Sequence, residues 1–133
     1  MFEWHGWATI RDRSTYDEFL DATSDPAEAT LAKIRQILAE SERIANETAD
    51  LRAANGDWHV WLAGFHNHRA AHVVPVFEAI AEAAPGSYGL LNVHDDEAEG
   101  SEDQWFTWAM ARGRVQRHND QFLSPHVGVV EGP

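Results

Sequence analysis

The stretch SDPAEATLAKIRQILAESERIANETADLRAANG (residues 24–56), followed at once by DWHVWLAGF (57–65), decides the class of fold. In the first part Asp25 stands at a helix N-cap, Pro26 suits the first helical position, and Glu28 completes a capping-box spacing. Leu31, Ile34, Leu38, Ile44 and Leu51 recur at spacings that share one face of a helix. Arg35, Glu42, Glu47 and Asp50 then fall on its solvated side, and Asn55-Gly56 supplies a left-handed stop. One long helix is expected. The second part is apolar on both alternating sets, Trp58, Val60 and Leu62 against Trp61, Ala63 and Phe65. That pattern fits a strand covered on both faces, or one lying under a helix at a curled sheet.

On the N-terminal side, FEWHGWATIRD (2–12) is aromatic and mostly alternating, a strand carrying Phe2, Trp4 and Ile10 inward. A short helical turn is expected after it, where Thr15 and Glu18 have capping-box spacing and Tyr16, Phe19 and Leu20 share a face. On the C-terminal side, AAHVVPVFEAIAEAAP (70–85) suits a second helix, with Pro75 in its first turn and Pro85-Gly86 ending it. Ser87 to His94, Gln104 to Arg112 and Arg114 to His118 complete the strands, the last two joined at Gly113. The order β-α-β-α-β-β-β implies a single α+β domain over residues 1–133, a mainly antiparallel sheet of about five strands with two helices packed on one side.

Composition bounds the function. The 133 residues include 22 Asp+Glu against 10 Lys+Arg, a net charge of −12 with His neutral. A chain this acidic is repelled by nucleic acid and by anionic lipid, so neither is expected as a partner. It is suited to steering onto a basic protein, although acidity that serves solubility alone is the plainer account. There is no Cys, hence no disulfide framework, thiolate metal site or thiol nucleophile. No apolar run is long enough to span a bilayer, and MFEWHGW lacks the make-up of a signal peptide. A cytoplasmic location is expected.

The densest charge lies in DDEAEGSED (95–103), where Asp95, Asp96, Glu97, Glu99, Glu102 and Asp103 stand between two predicted strands. Such a projection suits a basic protein or a hard cation, or is simply a solvated loop kept open by its own repulsion. It lacks the spacing of a calcium hand. The run HNHRAAH (66–72) is the other constellation. On a strand His66 and His68 point the same way, and on a helix His68 and His72 stack. A small metal-dependent hydrolase or metal-binding protein using His66, His68 and His72 would need further ligands, for which His5, His94 or Asp95 are candidates. The plainer account is a tight turn capped by Asn67 and Arg69. Gly86-Ser87-Tyr88-Gly89 is one residue short of a nucleophile elbow and lies in the wrong context, and no phosphate-binding Gly-rich loop exists. Arg112, Arg114 and Arg117 flank the last hairpin, where they are expected to pair with nearby carboxylates or to blunt an edge strand rather than to form a nucleic-acid patch. Trp4, Trp7, Trp105 and Trp108 are expected mostly in the core, whereas an aromatic left exposed beside the acidic loop would be an interface anchor.

Taken in order, FEWHGWATIR, GFHNHR (64–69), APGSYGLL (84–91), DDE (95–97), FTW…ARG (106–113) and DQFLSP (120–125) resemble the immunity protein seven family of bacterial polymorphic toxin systems. The resemblance spans nearly the whole chain and rests on the collinear order of short motifs. It implies a non-enzymatic antidote, without cofactor or metal, that binds and blocks a cognate toxin domain in the producing cell's cytoplasm. A basic toxin, a nuclease among the candidates, would match the acidic composition. On charge alone the six carboxylates of the 95–103 loop are the expected contacts, with His66, Asn67 and His68 as a secondary set.

Overall fold

The computed structural model describes residues 1–13, 26–41 and 47–126. Its elements are β1 (Phe2–Ile10), α1 (Glu28–Ser41), β2 (Glu47–Ala54), β3 (Asp57–His66), α2 (Val73–Ala83), β4 (Tyr88–Asp95), β5 (Trp105–Ala111) and β6 (Arg114–Asn119). The strands form one antiparallel sheet in the order β2-β3-β1-β4-β5-β6, and the α+β class with two helices is as expected.

The sheet has six strands rather than about five, because the second half of the expected long helix is strand β2. Asn55 and Gly56 both take positive φ, 54° and 86°. They turn the chain back so that Ala54 faces Asp57 and Leu51 faces Val60. An Asn-Gly pair with both residues left-handed is the preferred two-residue hairpin turn. The helix stops instead at Ser41. Glu42, Ile44, the Thr15–Glu18 turn and the Asp25 cap lie outside the described residues.

Alternation sets the two faces of the sheet. Inward positions carry Phe2, Trp4, Ala8 and Ile10 of β1, Val60 and Leu62 of β3, Leu91 and Val93 of β4, and Met110 of β5. Against them pack Ile34 and Leu38 of α1 and Val73, Phe77, Ile80 and Ala81 of α2, so both helices cover this face. Two features fix the junctions. The Ala27 N–H donates to Asp12 Oδ2 (2.7 Å) at the start of α1. Beyond α2, the Gly86 N–H donates to Arg11 O (2.9 Å) and the Arg11 N–H to Ser87 Oγ (3.1 Å), tying the end of β1 to the start of β4.

Among the described residues no helix covers the outer face. One cross-strand row there runs Asp50, Trp61, Trp7, Leu90, Ala109 and Gln116, each opposite the next in register. Trp7 and Trp61 are 40% and 39% exposed. Trp4 is buried as expected, whereas Trp7 is not, because successive residues of a strand point to opposite faces.

Candidate functional site

The acidic segment is a wound loop closing the β4–β5 connection. Three turns follow one another: the Ala98 N–H donates to Asp95 O, Ser101 N–H to Ala98 O and Gln104 N–H to Ser101 O. Gly100, at φ 85°, takes the left-handed position. The Glu97 N–H donates to Asp95 Oδ1 (3.0 Å) and the Gly100 N–H to Glu102 Oε1 (3.2 Å). Beneath the loop, His94 Nε2 donates to Glu102 O (2.8 Å), a buried imidazole anchoring it to the sheet. Asp95 is half-buried, while Asp96, Glu97, Glu99, Glu102 and Asp103 are exposed.

Two basic groups meet this loop, the Met1 ammonium and the His68 imidazole. The Met1 ammonium donates to Asp96 and lies 3.6 Å from Glu97 Oε1. The hydrogen bond to the ammonium holds the Asp96 carboxyl below its usual range and raises the Met1 amino group. His68 Nδ1 donates to Glu97 Oε1 (2.7 Å), and that bond is the leading cause of a lowered Glu97 pKa. The HNHR turn and the acidic loop therefore touch, and the two sets of candidate residues form one continuous surface with Asn67 and His68 exposed.

The three histidines do not converge. His68, with its side chain 84% exposed, turns to Glu97, whereas His66 and His72 turn inward. Between these two lies Glu47, which the helical reading placed in solvent and which is 3% exposed. His72 Nε2 donates to Glu47 Oε2 (3.1 Å) and lies 2.9 Å from Oε1, and His66 Nε2 lies 3.4 Å from Oε1. Trp4 closes the group edge-on, its ring centroid 5.1 Å from that of His66 and 6.2 Å from that of His72. Among the described residues no three His, Asp or Glu side chains have an arrangement that would hold a metal ion. A buried carboxylate flanked by two imidazoles is instead a structural polar pin, held by the one His72 hydrogen bond, while Glu47 Oε1 and His66 Nε2 are buried without a hydrogen-bond partner. The signal that would have found Glu47 is the hairpin: once β2 pairs with β3, Glu47 faces Gly64 on the inner side.

Two further histidines have partners elsewhere. His5 Nε2 donates to Glu3 Oε2 (2.7 Å), and His126 packs on His94 with centroids 4.3 Å apart. The Arg114–Asn119 strand is a sheet edge, as the arginines suggested, and Arg117 lies 4.8 Å over the Phe106 ring.

No described helix is long and apolar enough to cross a membrane. In comparison with known proteins, the family model described as Immunity protein 7 matches residues 1–132. No curated protein and no solved structure matches.

Proposed function

The chain belongs to the immunity protein 7 family, and from that premise we propose that it is a non-enzymatic antidote which binds and neutralises a cognate polymorphic toxin domain in the cytoplasm of the producing cell. The family match over residues 1–132 is the observation that carries this reading. The partner is a basic toxin, with a nuclease the chemistry that a net charge of −12 matches best, because carboxylates compete for a cleft built for phosphates.

The first contact surface is the 95–103 loop. Asp96, Glu97, Glu99, Glu102 and Asp103 project from a backbone held by its own turns, with Asp95 at its base. A rigid acidic projection loses little entropy on binding and raises the rate of encounter. Asn67 and His68, joined to it through Glu97, extend the surface, with His66 behind them at the end of β3 and turned to Glu47. Calorimetric titration against the toxin domain encoded beside the chain's gene tests the reading, with metal content recorded first. Tight one-to-one binding with loss of toxin activity is expected. No heat, together with stoichiometric zinc, would overturn it in favour of a metal protein.

A further inference from the structure

The outer face of the sheet is built from residues that a solvated face does not need. Trp7, Trp61, Phe65, Tyr88 and Leu90 are all exposed large apolar residues on three adjacent strands. Trp61, Trp7 and Leu90 are consecutive in one register row, with Tyr88 against Trp7 at a centroid distance of 6.2 Å. Contiguous exposed aromatics of this kind mark interaction surfaces more often than they occur by chance.

The patch has a built wall. Asp120 Oδ1 accepts the N–H groups of Phe122 (2.8 Å) and Leu123 (3.3 Å), and the Thr107 hydroxyl lies 3.1 Å from Asp120 Oδ2. These bonds fix the segment after β6 beside Leu90 and Ala109 and hold Phe122 out at 97% exposure. Six strands at about 4.8 Å spacing, with about eight residues each at 3.4 Å rise, give a face of roughly 29 by 27 Å. That is close to the approximately 800 Å² which one partner contributes to a standard interface.

Charge selects the occupant. Two copies of a chain carrying −12 repel each other, so self-association is opposed, whereas a basic protein is attracted. Asp50, paired with Arg52 at 3.3 Å, lies opposite Trp61, and Glu3, bonded to His5, lies opposite Phe65, so the carboxylates beside the aromatic positions are partly matched within the chain and the net charge of −12 carries the attraction. Glu3 is also opposite His94, the residue before the acidic loop begins, so loop and face share one end of the sheet.

Resting on the immunity reading, we propose that this outer face is the surface on which the toxin domain is held. The Trp61–Trp7–Leu90 row packs against an apolar patch rimmed by Lys or Arg on the toxin. The acidic loop governs capture and the aromatic face governs retention, since steering acts on association and desolvated anchors act on dissociation.

The test is hydroxyl-radical footprinting of the unaltered chain, free and with the toxin domain encoded beside its gene. Dissociation rates are measured in parallel for Trp7→Ala, Trp61→Ala and Leu90→Lys. Protection of Trp7, Trp61 and Tyr88 in the complex is expected, with dissociation at least about thirtyfold faster in the folded variants. A complex whose outer-face residues oxidise as fast as in the free chain would overturn the proposal, and would leave the immunity reading standing. Absence of any complex with the unaltered chain would overturn both. A dimer of the free chain that Trp61→Ala dissociates would make a second copy the occupant and overturn it. If the variants do not fold, footprinting of the unaltered complex alone decides.

Discussion

Trp4 and Gly64 stand opposite one another on β1 and β3, and the indole fills the volume that a side chain at Gly64 would need. A Cβ built at Gly64 would lie 2.1 Å from Trp4 Cζ2 and 2.3 Å from Cη2. Glu47 is the register partner of Gly64 on its other side, so one inward row reads Glu47, Gly64, Trp4. The absent side chain is what lets the ring and the buried carboxylate occupy the same layer.

Gly64→Ala should therefore destabilise the fold by about 3 kcal/mol, the upper part of the range for overpacking a filled core. At roughly 3 °C per kcal/mol for a domain of this size, the thermal midpoint should fall by about 10 °C. A shift below about 2 °C would mean that the Trp4 ring moves aside freely.

Gly56→Ala probes a different requirement. Nothing lies within 4 Å of a Cβ at Gly56, but its φ is +86°. Backbone strain alone then sets the loss, about 1 kcal/mol, with no change in the packing of the core. Chemical denaturation of the single variant checks the size, and an unchanged midpoint would show that the hairpin turn relaxes.

Removing the buried carboxylate separates hydrogen bonding from charge. Glu47→Ala leaves the His72 Nε2–H without its acceptor and should reduce stability by about 1–3 kcal/mol. Glu47→Gln keeps an acceptor oxygen and should recover part of that loss. Equal stability of the two variants in thermal unfolding would show that the acceptor contributes nothing.

Glu97 carries the linkage between the HNHR turn and the acidic loop. Its carboxyl titrates below the usual range because His68 donates to it. A depressed folded pKa contributes stability above the ordinary carboxylate range, lost as pH falls through the folded value. In His68→Ala the Glu97 pKa should rise toward its ordinary value, as read by carboxyl-resolved NMR titration. The contribution to global stability stays small, because both groups are exposed.

Reversing Asp96, Glu99 and Glu102 to Lys should slow toxin association at least about tenfold at low salt and leave the thermal midpoint nearly unchanged. The difference should shrink as ionic strength rises, because screening shortens the reach of the field. Identical association rates at low salt would remove the loop from the encounter.

Much of this structure was legible in local sequence. Phe2, Trp4 and Ile10 alternate inward as read, and the apolar run at 57–65 is a strand inside the sheet, although only one of its faces is buried, Trp61 and Phe65 being exposed on the other. Strand β2 was not legible by the same route. ETADLRAA is rich in helix formers, and Leu51 happens to continue the helical spacing of α1. Pairing with Trp58, Val60 and Leu62 overrides that preference, because strand propensity depends on cross-strand neighbours. The turn residues Asn55-Gly56 were visible but serve a helix stop and a hairpin equally until the next element is placed. The acidic loop was legible as charge. The aromatic face was not, because Trp7 and Trp61 become neighbours only through the β1–β3 register.

The strand order also bears on how the chain acquires its structure. β1 comes earliest in sequence yet lies between β3 and β4, so its partners, residues 57–66 and 88–95, begin 47 and 78 positions after it ends. Loop closure over such separations must precede any pairing of the central strand, which places folding in the slower range of small domains, milliseconds to seconds. During translation β1 waits, with Phe2 and Trp4 unpaired, until β3 has been made. At about 5–20 residues per second the ribosome takes several seconds to reach β3, and over that interval the apolar positions of β1 are open to pairing with other strand edges.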